Sequence, residues 1–164
     1  MRSMNRFFKG SFVLIILFIS FAYADDGYRL WLKYDVFTNP HVLNTYNDIV
    51  AKKYIIGNSE TIQIINDELD AAIEGMLGDP IESINRIEDK TLIVGCIEDL
   101  PKEIRIQLKE ESQLPGEESY LIKTLQKNNA IIISAKTDRG LLYGVFKFIS
   151  LIQREQEIND LNIA

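Results

Sequence analysis

Phe12 to Phe21 is an almost unbroken apolar run, preceded by Arg2, Arg6 and Lys9 and followed at once by Asp25-Asp26-Gly27. A membrane span needs about 20 apolar residues, and this run is shorter. With Ala22-Tyr23-Ala24 placing small residues where a signal peptidase reads, residues 1–24 are expected to be a cleavable signal peptide cut after Ala24. A secreted or periplasmic chain starting at Asp25 follows, with a retained signal anchor as the alternative. No later run is long enough to cross a membrane.

Beyond the leader, the pattern alternates between the two secondary-structure periods. Tyr28 to Tyr34 (YRLWLKY) alternates apolar and charged residues and predicts a half-buried strand. Asn39-Pro40 reads as a cap and first helical position, opening a short helix to about Val50. Lys53 to Gly57 predicts a second, buried strand. Ser59 can cap the next helix, with Glu60 in its first turn. Ile62, Ile65, Leu69, Ala72, Ile73 and Met76 recur every three or four residues and give that helix a core face. Gly78-Asp79-Pro80 stops it. A polar stretch, Glu82 to Lys90, leads to a third strand, Thr91 to Ile97. Asp99 is expected to cap a helix over 102–109 that Pro101 opens.

Leu114-Pro115-Gly116-Glu117-Glu118 reads as a loop. Tyr120 to Leu125 and Ala130 to Ser134, joined by Lys127-Asn128-Asn129, predict an antiparallel hairpin. Asp138 is expected to cap the last helix, Arg139 to about Gln156. The order β-α-β-α-β-α-β-β-α predicts one α/β domain over 25–156, a mixed sheet of about five strands with packed helices. Residues 157–164 read as a linker leading away from it.

The last helix carries more apolar surface than a helix with one dry side needs. Leu141, Leu142, Val145, Phe146, Phe148, Ile149, Leu151 and Ile152 cover most of its circumference. Tyr143, Lys147, Ser150 and Arg154 leave a narrow polar stripe. Such a helix is covered on both sides. Either neighbouring helices cradle it, or its outer face docks on another domain or a second copy.

Charge and chemistry narrow the function classes. The chain has 18 basic and 24 acidic residues. The leader holds three of the basic ones and no acidic one, leaving 15 against 24 and a net charge of −9. A surface this acidic argues against nucleic-acid binding. Cys96 is the only cysteine, so no intramolecular disulfide can form, and its strand context marks it as a core residue. His41 is the only histidine and lacks an HxxH or HExxH partner, so no metal centre or Ser-His-Asp arrangement is expected, and no cofactor. Asp67, Asp70 and Glu74 fall on the helix face opposite the apolar stripe and read as a solvated surface. No carboxylate pair stands in an apolar setting suited to glycoside hydrolysis.

Three stretches carry a resemblance: 26–35 (DGYRLWLKYD), 116–124 (GEESYLIKT) and 137–146 (TDRGLLYGVF). Together they resemble the N-terminal domain of the α-glucuronidases of glycoside hydrolase family 67. The last stretch is also similar to accessory domains of hexosaminidase-type glycosidases. Ser119 departs from the glycine expected after Glu118. The resemblance implies an α/β accessory domain preceding a (β/α)8 barrel, which needs about 250 residues of its own. It implies that the barrel removes glucuronic or 4-O-methylglucuronic acid from xylo-oligosaccharides in xylan degradation, without a metal. The catalytic carboxylates would lie in that barrel, the partner in cis, so this chain by itself is expected to be inactive and to have no catalytic residue.

Asp138, Arg139, Gly140, Tyr143 and Gly144 match the family motif, with structural roles expected: Asp138 as cap, the glycines as points of close backbone approach. Trp31 could stack on a sugar, or be core at the centre of its strand. A free-standing exported carbohydrate-associated binding or assembly module, paired through the last helix, is the alternative. A small enzyme in its own right is a third.

Overall fold

The computed structural model describes residues 34–108 and 114–164, which form one compact unit from Tyr34 onward. The leader, Trp31 and the expected first strand as far as Lys33 lie outside the described residues. In chain order the elements are α1 (Pro40–Ile49), β1 (Lys52–Ile55), α2 (Glu60–Leu77), β2 (Glu82–Ser83) and β3 (Thr91–Cys96). A short 3₁₀ turn (Ile97–Asp99), α3 (Lys102–Gln107), β4 (Tyr120–Leu125), β5 (Ala130–Ala135), α4 (Asp138–Gln153) and β6 (Asn162–Ile163) follow.

Several boundaries follow from local chemistry. Asn39 Oδ1 accepts from the His41 amide at 3.0 Å and Pro40 takes the first helical position. The Ser59 hydroxyl accepts from the Ile62 amide at 3.2 Å, and Gly78, at φ 82°, closes α2. Asp99 does not cap α3: it ends the 3₁₀ turn, and α3 starts from Pro101 with no side-chain cap. The hairpin loop is four residues, Gln126 to Asn129, because Leu125 pairs with Ala130 and Asn129 takes the left-handed conformation at φ 51°.

The sheet is mixed and has six described strands in the order β2-β1-β3-β5-β4-β6. β2, β1, β3 and β5 run parallel, while β4 is antiparallel to both its neighbours. Every residue of β3 and β5 is buried, as expected for central strands covered on both faces. On one face Leu92, Val94, Ile131 and Ile133 meet Ile65, Leu69 and Ile73 of α2 and Leu141, Val145 and Phe148 of α4. On the other, Ile93, Leu121 and Ile132 are covered by Leu100, Ile104, Leu108 and Leu114.

The sixth strand comes from the segment expected to lead away. Ile158 and Leu161 are buried, and Asn162–Ile163 pair with Lys123 and Ile122. Thr124 fixes this return: its hydroxyl donates to the Ile158 carbonyl at 3.4 Å and accepts from the Leu161 amide at 2.9 Å. Tyr46 adds a bond from its hydroxyl to the Gln156 carbonyl at 2.7 Å.

A second difference lies under α2. The Lys53 side chain, on the face of β1 that α2 covers, is 1% exposed, and its ammonium donates to Asn66 Oδ1 at 2.7 Å and Asp70 Oδ1 at 2.5 Å. Asp67 and Glu74 stay exposed, as their helix face suggested, but Asp70 turns inward to neutralise a buried cation. A buried charge deprived of its counter-charge is strongly destabilising. Asp70→Ala is therefore expected to cost about 2–3 kcal/mol, discounted because the carboxylate is half exposed. Lys53→Met should cost less; urea unfolding midpoints of the two variants check the order.

Candidate functional site

Ligands of open α/β sheets sit outside the carboxyl ends of the parallel strands. At that edge three side chains meet: Ser59 just after β1, Cys96 at the end of β3 and Asp138 just after β5. Asp138 Oδ2 accepts from the Ser59 hydroxyl at 2.5 Å, and Oδ1 accepts from the Cys96 thiol at 3.3 Å. Ser59 acts in both directions, because its oxygen also caps α2. The carboxylate thus lies in the first turn of α4 and beside the first turn of α2, where both helix dipoles favour an anion.

Asp138 was expected to cap the last helix, but Thr137 holds that position. Thr137 has extended backbone (φ −134°, ψ 158°), and its hydroxyl accepts from the Gly140 amide at 3.2 Å. The same hydroxyl donates to the Glu117 carbonyl at 2.5 Å. With the cap filled one residue earlier, the Asp138 carboxylate is free to reach across to the other two strands.

The cluster has the elements of a nucleophile site without the chemistry of one. Burial, with the Asp138 hydrogen bond and charge adding to it, pushes the Cys96 thiol from its ordinary 9.0 up to about 12. It therefore stays protonated and donates, whereas a reactive cysteine needs thiolate. His41, the only imidazole, sits exposed on α1. Among the described residues no group of three His, Cys, Asp or Glu side chains is placed to hold a metal ion. What this arrangement does is tie the starts of two helices to the end of the central strand.

The other motif residues serve the same junction. A Cβ on Gly140 would lie 2.8 Å from the Ser119 carbonyl oxygen and 2.9 Å from that of Glu117. A Cβ on Gly144 would lie 2.8 Å from Ile133 Cγ2 and 3.1 Å from Tyr120 Cβ. These positions let α4 press onto the hairpin and the loop that precedes it. Arg139 reaches Glu118 Oε1 at 3.4 Å with both side chains exposed, a pair worth little to stability. Tyr143 is 44% exposed and points away from the core. Of the outer apolar residues of α4, Leu142 and Leu151 pack against the main core and Phe146 is half-buried. Trp31 falls outside the described residues.

Two clefts open elsewhere. One, of about 320 Å3, lies between α1 and the segment after α4 and is lined by His41, Thr45, Tyr46, Glu155 and Ile158 among others. Burial and the nearby Glu155 carboxylate raise the Tyr46 phenol above its ordinary value, and its hydroxyl donates to the Gln156 carbonyl. The other, of about 450 Å3, is a polar trough between the end of β1 and α2, with Asn58, Gln63, Asn66 and Asp67 on its walls. No helix among the described residues is long and apolar enough to cross a membrane.

The family model described as glycosyl hydrolase family 67 N-terminus matches residues 30–148, 119 of the 164 residues. Among solved structures, a family GH115 4-O-methyl-alpha-glucuronidase with specificity for decorated arabinogalactans aligns at 13% identity and a TM-score of 0.43. The alignment covers 62% of this chain and 13% of that one. No curated protein sequence matches the chain.

Two outcomes follow from this geometry. Gly140→Ala sets a methyl group against two backbone oxygens and is expected to destabilise the domain by about 2–3 kcal/mol, read from denaturant midpoints. Because the folded Cys96 thiol keeps its proton where the unfolded chain loses it, stability must fall as pH rises from 9.0 towards about 12. A Cys96→Ala variant should show a shallower fall over that window in thermal melts, and a thiol reagent should label Cys96 only when the chain unfolds.

Proposed function

The chain belongs to the glycosyl hydrolase family 67 N-terminus family and is a glycoside hydrolase accessory domain, and from that premise we propose that it is the non-catalytic N-terminal part of an exported α-glucuronidase. In this reading the enzyme removes glucuronic or 4-O-methylglucuronic acid from xylo-oligosaccharides during xylan degradation. A catalytic barrel joined in cis holds the acid and base carboxylates, and residues 1–24 direct export.

The observation that carries the reading is the family match over 30–148, which includes the hairpin and the first turns of α4. The chemistry at the strand ends supports it. Asp138 accepts from Ser59 and Cys96, one on each carboxylate oxygen, and Cys96 is held as a thiol. The polar groups that gather where an α/β protein often binds its ligand are occupied in holding elements together.

Incubating the purified exported chain with an aldouronic acid and measuring free glucuronic acid should show no release above the blank. Turnover by the chain alone would end the non-catalytic reading. Sequencing in frame past the Ala164 codon should find a barrel; a frame encoding none would remove the α-glucuronidase assignment. Edman sequencing of the exported product should begin at Asp25.

A further inference from the structure

The outer face of α4 differs in charge from the chain around it. Residues 139–154 contain three cations and no Asp or Glu, in a chain with 24 acidic residues against 18 basic. At 3.6 residues per turn, Arg139, Tyr143, Phe146, Lys147, Ser150 and Arg154 fall within about 100° of arc. Arg139, Tyr143 and Arg154 are exposed, and Phe146, Lys147 and Ser150 are half-buried. Glu118 tethers Arg139 at one end of the strip, and Arg154 closes the helix at the other.

We propose that this strip is a contact for an extended, uronic-acid-bearing polysaccharide chain, an inference that rests on reading the domain as part of an α-glucuronidase. Its shape suits a narrow partner. From Arg139 to Arg154 the helix rises about 22 Å, and a helix is about 10 Å wide, so the strip offers about 220 Å2. A stable protein interface needs about 800 Å2 from each side. A single polymer chain needs only a narrow track. Tyr143 presents a ring with a polar end, suited to stacking on a sugar face. Lys147 and Arg154 supply cations for carboxylates, with guanidinium able to bind them bidentately. After Asp138 the helix carries no acidic side chain that would repel a polyanion, and Glu118 beside it is paired with Arg139.

Affinity electrophoresis of the exported chain tests this in gels containing glucuronoxylan, unsubstituted xylan or dextran sulfate. Retardation is expected in glucuronoxylan and not in unsubstituted xylan. Tyr143→Ala and Lys147→Glu should each weaken binding about tenfold, a change of about 1.4 kcal/mol, with unchanged melting temperatures. Arg154→Glu serves as a third variant if either fails to fold. Equal mobility of the parent chain in all three gels would overturn the proposal. So would retardation by dextran sulfate as strong as by glucuronoxylan, or a concentration-dependent dimer abolished by Tyr143→Ala. None of these results bears on whether a barrel follows in frame, so the two readings fail separately.

Discussion

The close seat of α4 on the hairpin is the constraint from which the rest of the domain follows. At Gly140 and Gly144 there is no room for even a methyl group. Each glycine costs the helix up to about 1 kcal/mol in propensity, and what it gains is proximity. At this distance the Thr137 hydroxyl reaches the Glu117 carbonyl, and Asp138 comes within hydrogen-bonding range of two other elements. Val145 and Phe148 then fill the space over Ile133 and Ile131 with α2 alongside. A helix held further out would lose the packing and the polar junction together.

Signals that act over three or four residues could be read from the chain. Asn39 before Pro40, Ser59 before Ile62 and Gly78 after Leu77 each act on backbone groups a few atoms away, and each lies at its boundary. The apolar runs of β3 and β5 were equally plain, since strands covered on both faces leave no alternation to misread. The differences arise where a partner lies far along the chain. Thr137 and Asp138 are both good caps, and only the Glu117 carbonyl, 20 residues earlier, decides between them. Lys53 falls in a strand that reads as buried, but the partners of its ammonium, Asn66 and Asp70, lie 13 and 17 residues further on and show only once α2 is folded over it. β6 has too few residues to show any period; its place is set by Thr124, 37 residues before Leu161.

The same distinction applies to the site. That Cys96 is a core residue was evident from its strand. That its thiol is a donor to Asp138, with Ser59 on the other carboxylate oxygen, depends on three elements meeting at one edge. The strand ends of this accessory domain hold a polar junction with every buried side-chain polar atom of the described residues satisfied. That is the pattern of a part made to be rigid. Buried polar groups that are fully paired fix one arrangement of their elements.

The return of the chain after α4 also affects how the domain comes into being. Before residues 158–163 dock on it, β4 is hydrogen-bonded on one side only, to β5. Until then Ile122 and Lys123 present an open edge, the kind that recruits strands from neighbouring molecules. Thr124, with a bond to each end of the returning segment, is the residue that captures it. The two-residue β6 therefore works as a closure on a nascent sheet, shielding it from other chains once the last residues of the segment are in place.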